Sequence, residues 1–90
     1  MDISFPAIEN GLWRIQRYLI YRRGLTVSES ERAVAPLAWY VATGRASADF
    51  LRRMLTAKPF MLARKLTQGG SDDEILRRIK KYLGYIPDEI

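Results

Sequence analysis

The residues best suited to chemistry in this chain are arginines and lysines that recur in close groups. The guanidinium group matches phosphate with two parallel hydrogen bonds, and lysine adds a point charge. Such groups hold a nucleic-acid backbone without reading its sequence. The residues that we expect to contact phosphate are Arg14, Arg17, Arg22, Arg23, Arg52, Arg53, Arg77, Arg78, Lys80 and Lys81.

A plainer interpretation of the same residues stays open. Each basic pair could solvate the outer face of its own helix and form surface ion pairs with Glu9, Asp49 or Asp88, which contribute little to stability. The overall charge of +5, from 15 basic and 10 acidic residues, favours an anionic partner without identifying it.

The composition offers few catalytic side chains, since the chain contains no histidine and no cysteine. A zinc or iron–sulfur site, an imidazole base and a thiol nucleophile are excluded. Three consecutive acidic residues, Asp72, Asp73 and Glu74, could hold a cation, but on a helix they point in different directions and helix capping explains them. We therefore predict a non-catalytic protein without metal or cofactor, which binds DNA or RNA mainly through phosphate contacts and does so within a larger assembly.

Aromatic residues alternate with arginine in the first predicted helix. Trp13, Arg17 and Tyr21 follow one another at four-residue intervals, with Arg14 beside them. Such a ridge could stack unpaired bases or hold a phosphate backbone. The alternative is that Trp13 packs, with Tyr18 and Ile20, against neighbouring helices.

A second class of function follows from the apolar side chains. The chain has two tryptophans, five tyrosines and three methionines, more than so short a chain can bury, and these residue types are enriched at protein interfaces. A protein adaptor or homo-oligomer without nucleic-acid contact is thus the competing prediction, and a peripheral membrane binder is a third. The candidate interface residues are Trp13, Tyr21, Trp39, Tyr40, Phe60 and Met61.

The helix with the clearest ends begins at Ser71. Ser71 and Glu74 form a capping box, acidic residues occupy the first turn, and basic residues precede Gly84. A preceding helix from Pro59 to Gln68, joined through Gly69-Gly70, gives the pair the spacing of a helix-turn-helix.

Three features of this pair depart from a DNA reader. Lys65 stands where close helix crossing calls for a small residue, and Gly70 replaces an apolar residue after the turn. The first turn of the second helix, which should face the base edges, carries three carboxylates that a polyanion repels. We therefore expect phosphate contact from the basic half of this helix and no sequence-specific reading.

The remaining helices follow from apolar spacing and caps. The first should span Pro6 to Arg23 and the second should start at one of two capping boxes near Thr26 and end at Gly44, with a kink or a break into two helices at Pro36. A short helix should follow Ser47.

Ninety residues are too few for two stable cores, so we predict a single domain, 1–90, with an all-α fold: a compact bundle of four to five short helices with the helix-turn-helix-like pair last. An apolar tail, 85–87, should lie back on the bundle. The most apolar window is about half the length of a membrane span, and no secretory signal is visible, so a soluble, cytoplasmic protein is expected. The low asparagine, glutamine and cysteine content resembles that of thermophile proteins.

Overall fold

The computed structural model describes residues 3–84, and these form five α-helices and no strand. The all-α prediction is confirmed. The tail at 85–87 and Asp88 lie outside the described residues. The helices are α1 (Phe5–Arg23), α2 (Val27–Ala42), α3 (Ala48–Thr56), α4 (Pro59–Leu66) and α5 (Asp72–Tyr82).

The helix ends are fixed by short polar side chains. The Oγ of Ser4 accepts a hydrogen bond from the amide of Ala7, and the Oγ of Ser47 accepts one from the amide of Phe50. At the other end of α1, Gly24 has a φ of 76°, a left-handed conformation that glycine adopts without strain. The turn at Gly24 lets the amide of Leu25 bond to the carbonyl of Leu19, closing the helix.

Two capping boxes start α2 and α5. The predicted box at Ser71 and Glu74 is present, and α2 uses the earlier of its two candidates, Thr26 with Glu29. The backbone N–H of Ser71 donates to Oε1 of Glu74 at 2.8 Å and lowers the pKa of that carboxyl below its ordinary value of 4.5. Thr26 lowers the pKa of Glu29 in the same way.

Helix α2 continues through Pro36 as one helix, so of the two outcomes expected there, a kink or a break into two helices, the break does not occur. Proline removes one backbone hydrogen bond, at a cost of about 3 kcal/mol in a helix interior. Pro36 is itself buried, and Val34 before it and Leu37 and Tyr40 after it enter the same core. The apolar burial on both sides of Pro36 offsets the lost bond and keeps the two halves in one helix.

Helix α1 lies at the centre of the bundle and packs against α2, α3 and α4. Ile15 and Leu19 are fully buried in the core, where Leu37, Phe50 and Ile79 from three other helices join them. Where α1 crosses α3, a Cβ on Gly11 would overlap the side chain of Leu55, so glycine permits the close approach.

Helices α1 and α4 run side by side in the same direction. The rings of Tyr18 and Phe60 are 6.4 Å apart, and further along both helices Arg23 donates to Oγ1 of Thr67 at 3.3 Å. This side-by-side pair, α1 with α4, creates the surface on which most of the open arginines lie.

No helix within residues 3–84 is both long and apolar enough to cross a bilayer.

Candidate functional site

The basic group of α5 does not form one continuous face. Arg78 turns back toward α4, where its Nη2 donates to the carbonyls of Lys65 and Gly69. Lys80 lies over the ring of Tyr40, with 4.8 Å from Nζ to the ring centre. Arg77 and Lys81 are exposed. Two of the four predicted phosphate contacts therefore hold the fold together, and two remain on the surface.

The arginines of α3 are held by neighbouring groups. The Nε of Arg53 is 3.1 Å from a carboxylate oxygen of Asp49, and its Nη1 donates to the carbonyl of Leu83 at 2.8 Å. Arg52 is 3.6 Å from the other oxygen of Asp49. Arg53 thus joins the start of α3 to the end of α5.

The arginines of α1 are the most open of the predicted set. Arg14 donates weakly to the carbonyl of Leu55 at 3.4 Å, and Arg23 bonds to Thr67. Arg17 and Arg22 are exposed, and neither has a hydrogen bond or ion pair with any residue of the part of the chain described here. Their guanidinium groups can bind an anion from solution without breaking a contact within the protein.

These open arginines border a shallow groove of about 300 Å³ between α1 and the start of α4. We call it the basic groove. Three guanidinium groups and two tyrosine rings surround it, with no carboxylate among its lining residues, which are Arg14, Arg17, Tyr18, Tyr21, Arg22 and Pro59.

Two further basic residues extend this surface, and neither was predicted from the sequence to contact phosphate. Lys58, next to Pro59 of the groove, is exposed. Arg64 is also exposed, four residues after Phe60 and three before Thr67, on the same face of α4 as both. Because Phe60 and Thr67 both contact α1, Arg64 lies beside α1 between these two contacts.

A signal for this surface was present in the sequence, in the placement of acidic residues. Segments 10–28 and 50–71 contain nine of the 15 basic residues and none of the 10 acidic ones. These segments form most of α1, most of α3 and all of α4, and α1 packs against both α3 and α4. The remainder of the chain holds six basic and all ten acidic residues, so the charge is divided unequally over the molecule.

The aromatic candidates are found in different environments. Tyr21 is 77% exposed, Trp39 67% and Trp13 43%. Phe60 is 42% exposed, while its neighbour Met61 is partly buried. Trp13 and Tyr21 lie on the same helix as the arginines of the basic groove, whereas Trp39 lies on α2.

Tyr40 lies in the core and is 8% exposed. Its ring packs edge-on against Phe50, with 5.2 Å between ring centres, and Arg45 and Lys80 lie over it. Packing within the domain accounts for its apolar surface without a partner.

The acidic residues at the start of α5 are exposed and serve the helix end. Within residues 3–84, no three acidic side chains come together in a way that could hold a metal ion.

Comparison of this chain with protein-family models, with curated proteins and with solved structures finds no match.

Proposed function

We propose that this protein binds nucleic acid through its basic groove, with Arg14, Arg17 and Arg22 contacting phosphates. The observation that carries the proposal is the acid-free part of α1 and α4, formed by residues 10–23 and 59–66. Arginine and lysine gather there, and Glu9, the single carboxylate of these two helices, is not among the residues that line the groove, so the field at the groove attracts a polyanion.

The open state of the guanidinium groups supports the same function. Arg17 and Arg22 do not have to leave an internal partner before they bind phosphate, whereas Arg53 and Arg78 would have to release backbone carbonyls. The first turn of α5 carries Asp72 and Asp73, which oppose insertion of that helix into a DNA groove. The binding mode is therefore phosphate contact without sequence reading.

A pair of double variants tests this function. Arg17→Gln with Arg22→Gln removes two charges from the basic groove, and Arg77→Gln with Lys81→Gln removes two exposed charges from α5. Fluorescence anisotropy with labelled DNA and RNA oligonucleotides, at about 50 mM salt, measures the affinity of each protein. We expect roughly tenfold weaker binding for the groove variant and a change of less than about threefold for the α5 variant.

Equal losses in the two variants would indicate that net charge alone matters and would contradict a defined site. Absence of binding by the wild-type protein at low salt, to single and double strands alike, would end the nucleic-acid proposal. Circular dichroism of each variant checks that the helical fold is retained.

A second candidate function, protein docking or self-association, is favoured by Trp39. Trp39 follows Ser30 by about two and a half helical turns, so it lies on the side of α2 opposite the contact between Ser30 and Gln16 of α1. Its indole is 67% exposed and lies on the surface of α2 that faces away from α1.

Light scattering of the wild-type protein and of Trp39→Gln tests this candidate. If Trp39 lies in an interface between copies, the mass of the wild-type protein rises with concentration and that of the variant remains at one chain. A wild-type protein that stays monomeric throughout would exclude self-association through Trp39.

A further inference from the structure

The rings of Trp13 and Tyr21 differ from the other aromatic rings near the basic residues, because both residues are exposed and neither is stacked on another ring or a cation of the fold. Tyr82 is covered by Lys65, with 6.0 Å from Nζ to the ring centre, and Tyr18 packs against Phe60. No ring or cation of residues 3–84 lies over Trp13 or Tyr21. Tyr21 can therefore stack with a flat group from outside, and Trp13 can do so through the part of its ring that is open to solvent.

These open rings alternate with the open arginines along α1. Arg17 is one turn after Trp13 and one turn before Tyr21, so the three side chains follow one another over about 12 Å of helix axis. Tyr21 and Arg17 both line the basic groove. A ligand along this surface meets an aromatic ring, a guanidinium group and a second ring in succession.

This alternation distinguishes between the forms of nucleic acid. In a duplex the faces of the bases are stacked inside the helix, so only phosphates and groove edges reach a protein surface. In a single strand the base faces are exposed, and they stack on aromatic side chains while arginines hold the backbone. A phosphate site for a duplex would make no use of the two ring faces.

Resting on the proposed function, we infer that the basic groove binds single-stranded nucleic acid, with bases stacked on Tyr21 and Trp13 and phosphates held by Arg14, Arg17 and Arg22. Stacking is available to every base, because each has an aromatic face. Binding is therefore tolerant of sequence and selective for unpaired strands.

Variants of Tyr21 separate this inference from the proposed function. Tyr21→Leu removes the ring, and Tyr21→Phe is the matched control that keeps it; at 77% exposure, neither change disturbs the core. The probes are a labelled oligouridylate of about 12 nucleotides and a duplex of similar length. We expect the single strand to bind more tightly than the duplex at equal salt.

We further expect Tyr21→Leu to weaken single-strand binding by about 5- to 100-fold, Tyr21→Phe to retain it, and duplex binding to change by less than about twofold. If Tyr21→Leu binds oligouridylate as the wild-type protein does, or if the duplex binds as tightly as the single strand, the stacking inference is wrong. Loss of duplex and single-strand binding with Arg17→Gln and Arg22→Gln would still support the phosphate site.

Tryptophan fluorescence gives a second readout at the other ring. In a Trp39→Phe background, emission comes from Trp13 alone, the other tryptophan of the chain. Stacking of a base on Trp13 is expected to quench this emission on addition of oligouridylate, and the quenching should saturate at the concentration that anisotropy gives. Emission that is unchanged at saturating oligouridylate would contradict a contact at Trp13.

Discussion

Arginine side chains of the same chemistry have two different roles in this protein. Arg53 and Arg78 donate to backbone carbonyls at Leu83, Lys65 and Gly69, at positions where helices end. Arg17 and Arg22 make no such contact with the described residues, and both line the basic groove. An arginine that donates to a backbone carbonyl of another element supports the fold, whereas one without such a bond remains available to a ligand.

Replacement of Arg78 should therefore cost stability. Arg78→Gln removes charged donors from two carbonyls at the α4–α5 turn, and we expect a loss of about 1 to 3 kcal/mol in the free energy of unfolding. The neighbouring change Arg77→Gln, at an exposed position, should stay within about 0.5 kcal/mol. Urea denaturation followed by circular dichroism measures both, and equal effects would contradict the structural role of Arg78.

The capping carboxylates predict a dependence of stability on pH. The backbone N–H groups of Ser71 and Thr26 lower the pKa values of Glu74 and Glu29 in the folded protein, so the unfolded chain takes up these protons first as pH falls. The stabilisation is present above the ordinary value of 4.5 and is lost as pH falls through the lowered folded values.

The double variant Glu29→Gln with Glu74→Gln keeps a side-chain acceptor at each cap but removes the titration. Its stability should lie below that of the wild-type protein at neutral pH, and the difference should shrink between about pH 5 and pH 3. Urea midpoints at a series of pH values measure the difference. A difference that stays constant over this range would show that the cap carboxylates do not contribute through their charge.

Residue roles were predictable from the sequence where the partner is near in the chain. The caps at Ser47 and Ser71 depend on amides three residues away, and both were predicted. The bond from Arg53 to the carbonyl of Leu83 joins residues 30 positions apart. No spacing rule within one helix indicates such a contact, so Arg53 and an open arginine look alike in the sequence.

Among the elements, α1 has the largest role, because it supplies both the centre of the core and the basic groove. One face of α1 carries Ile15 and Leu19 into the bundle, and another carries Arg17 and Tyr21 to the surface. Packing of α1 against α4 brings Arg64 beside α1. The stability of the bundle should therefore depend on the buried face of α1, and nucleic-acid binding should depend on its exposed face.

Shortening a side chain on the buried face of α1 tests whether this face stabilises the fold. Leu19 is fully buried between helices, so Leu19→Ala should lower the free energy of unfolding by about 2 to 5 kcal/mol through lost burial and an unfilled cavity. Val27→Ala, at an exposed position of α2, should change it by less than about 0.5 kcal/mol. Calorimetric or urea unfolding gives the two values, and a small effect at Leu19 would contradict the central position of α1.

The sequence predicted the positions of the helices better than it predicted which helices pack against each other. Caps and glycine stops fixed most helix ends, whereas the break that was one of two alternatives at Pro36 did not occur because tertiary packing holds both halves. That α1 lies parallel to α4 depends on contacts more than 40 residues apart in the chain, such as Arg23 with Thr67. The groove residues could be named in part, but not Arg64 and Lys58, whose relevance depends on this arrangement.

At the scale of the whole molecule, charge is divided between two regions of the chain. The acid-free segments 10–28 and 50–71 pack together and carry nine basic residues, while the rest carries a net excess of acidic ones. A net charge of +5 therefore understates the positive field at the groove. In the proposed binding mode, this division would orient the nucleic acid toward α1 and α4 and away from the acidic start of α5.

The salt dependence of oligouridylate binding tests the central claim, contact of phosphates with the basic groove, most directly. The slope of log affinity against log salt reports the number of phosphates neutralised, at about 0.7 per contact for a single strand. Arg17→Gln with Arg22→Gln should reduce the steepness of this slope by about 1.4, and Arg77→Gln with Lys81→Gln should leave it unchanged. Equal slopes for the wild-type protein and the groove variant would contradict the proposed site.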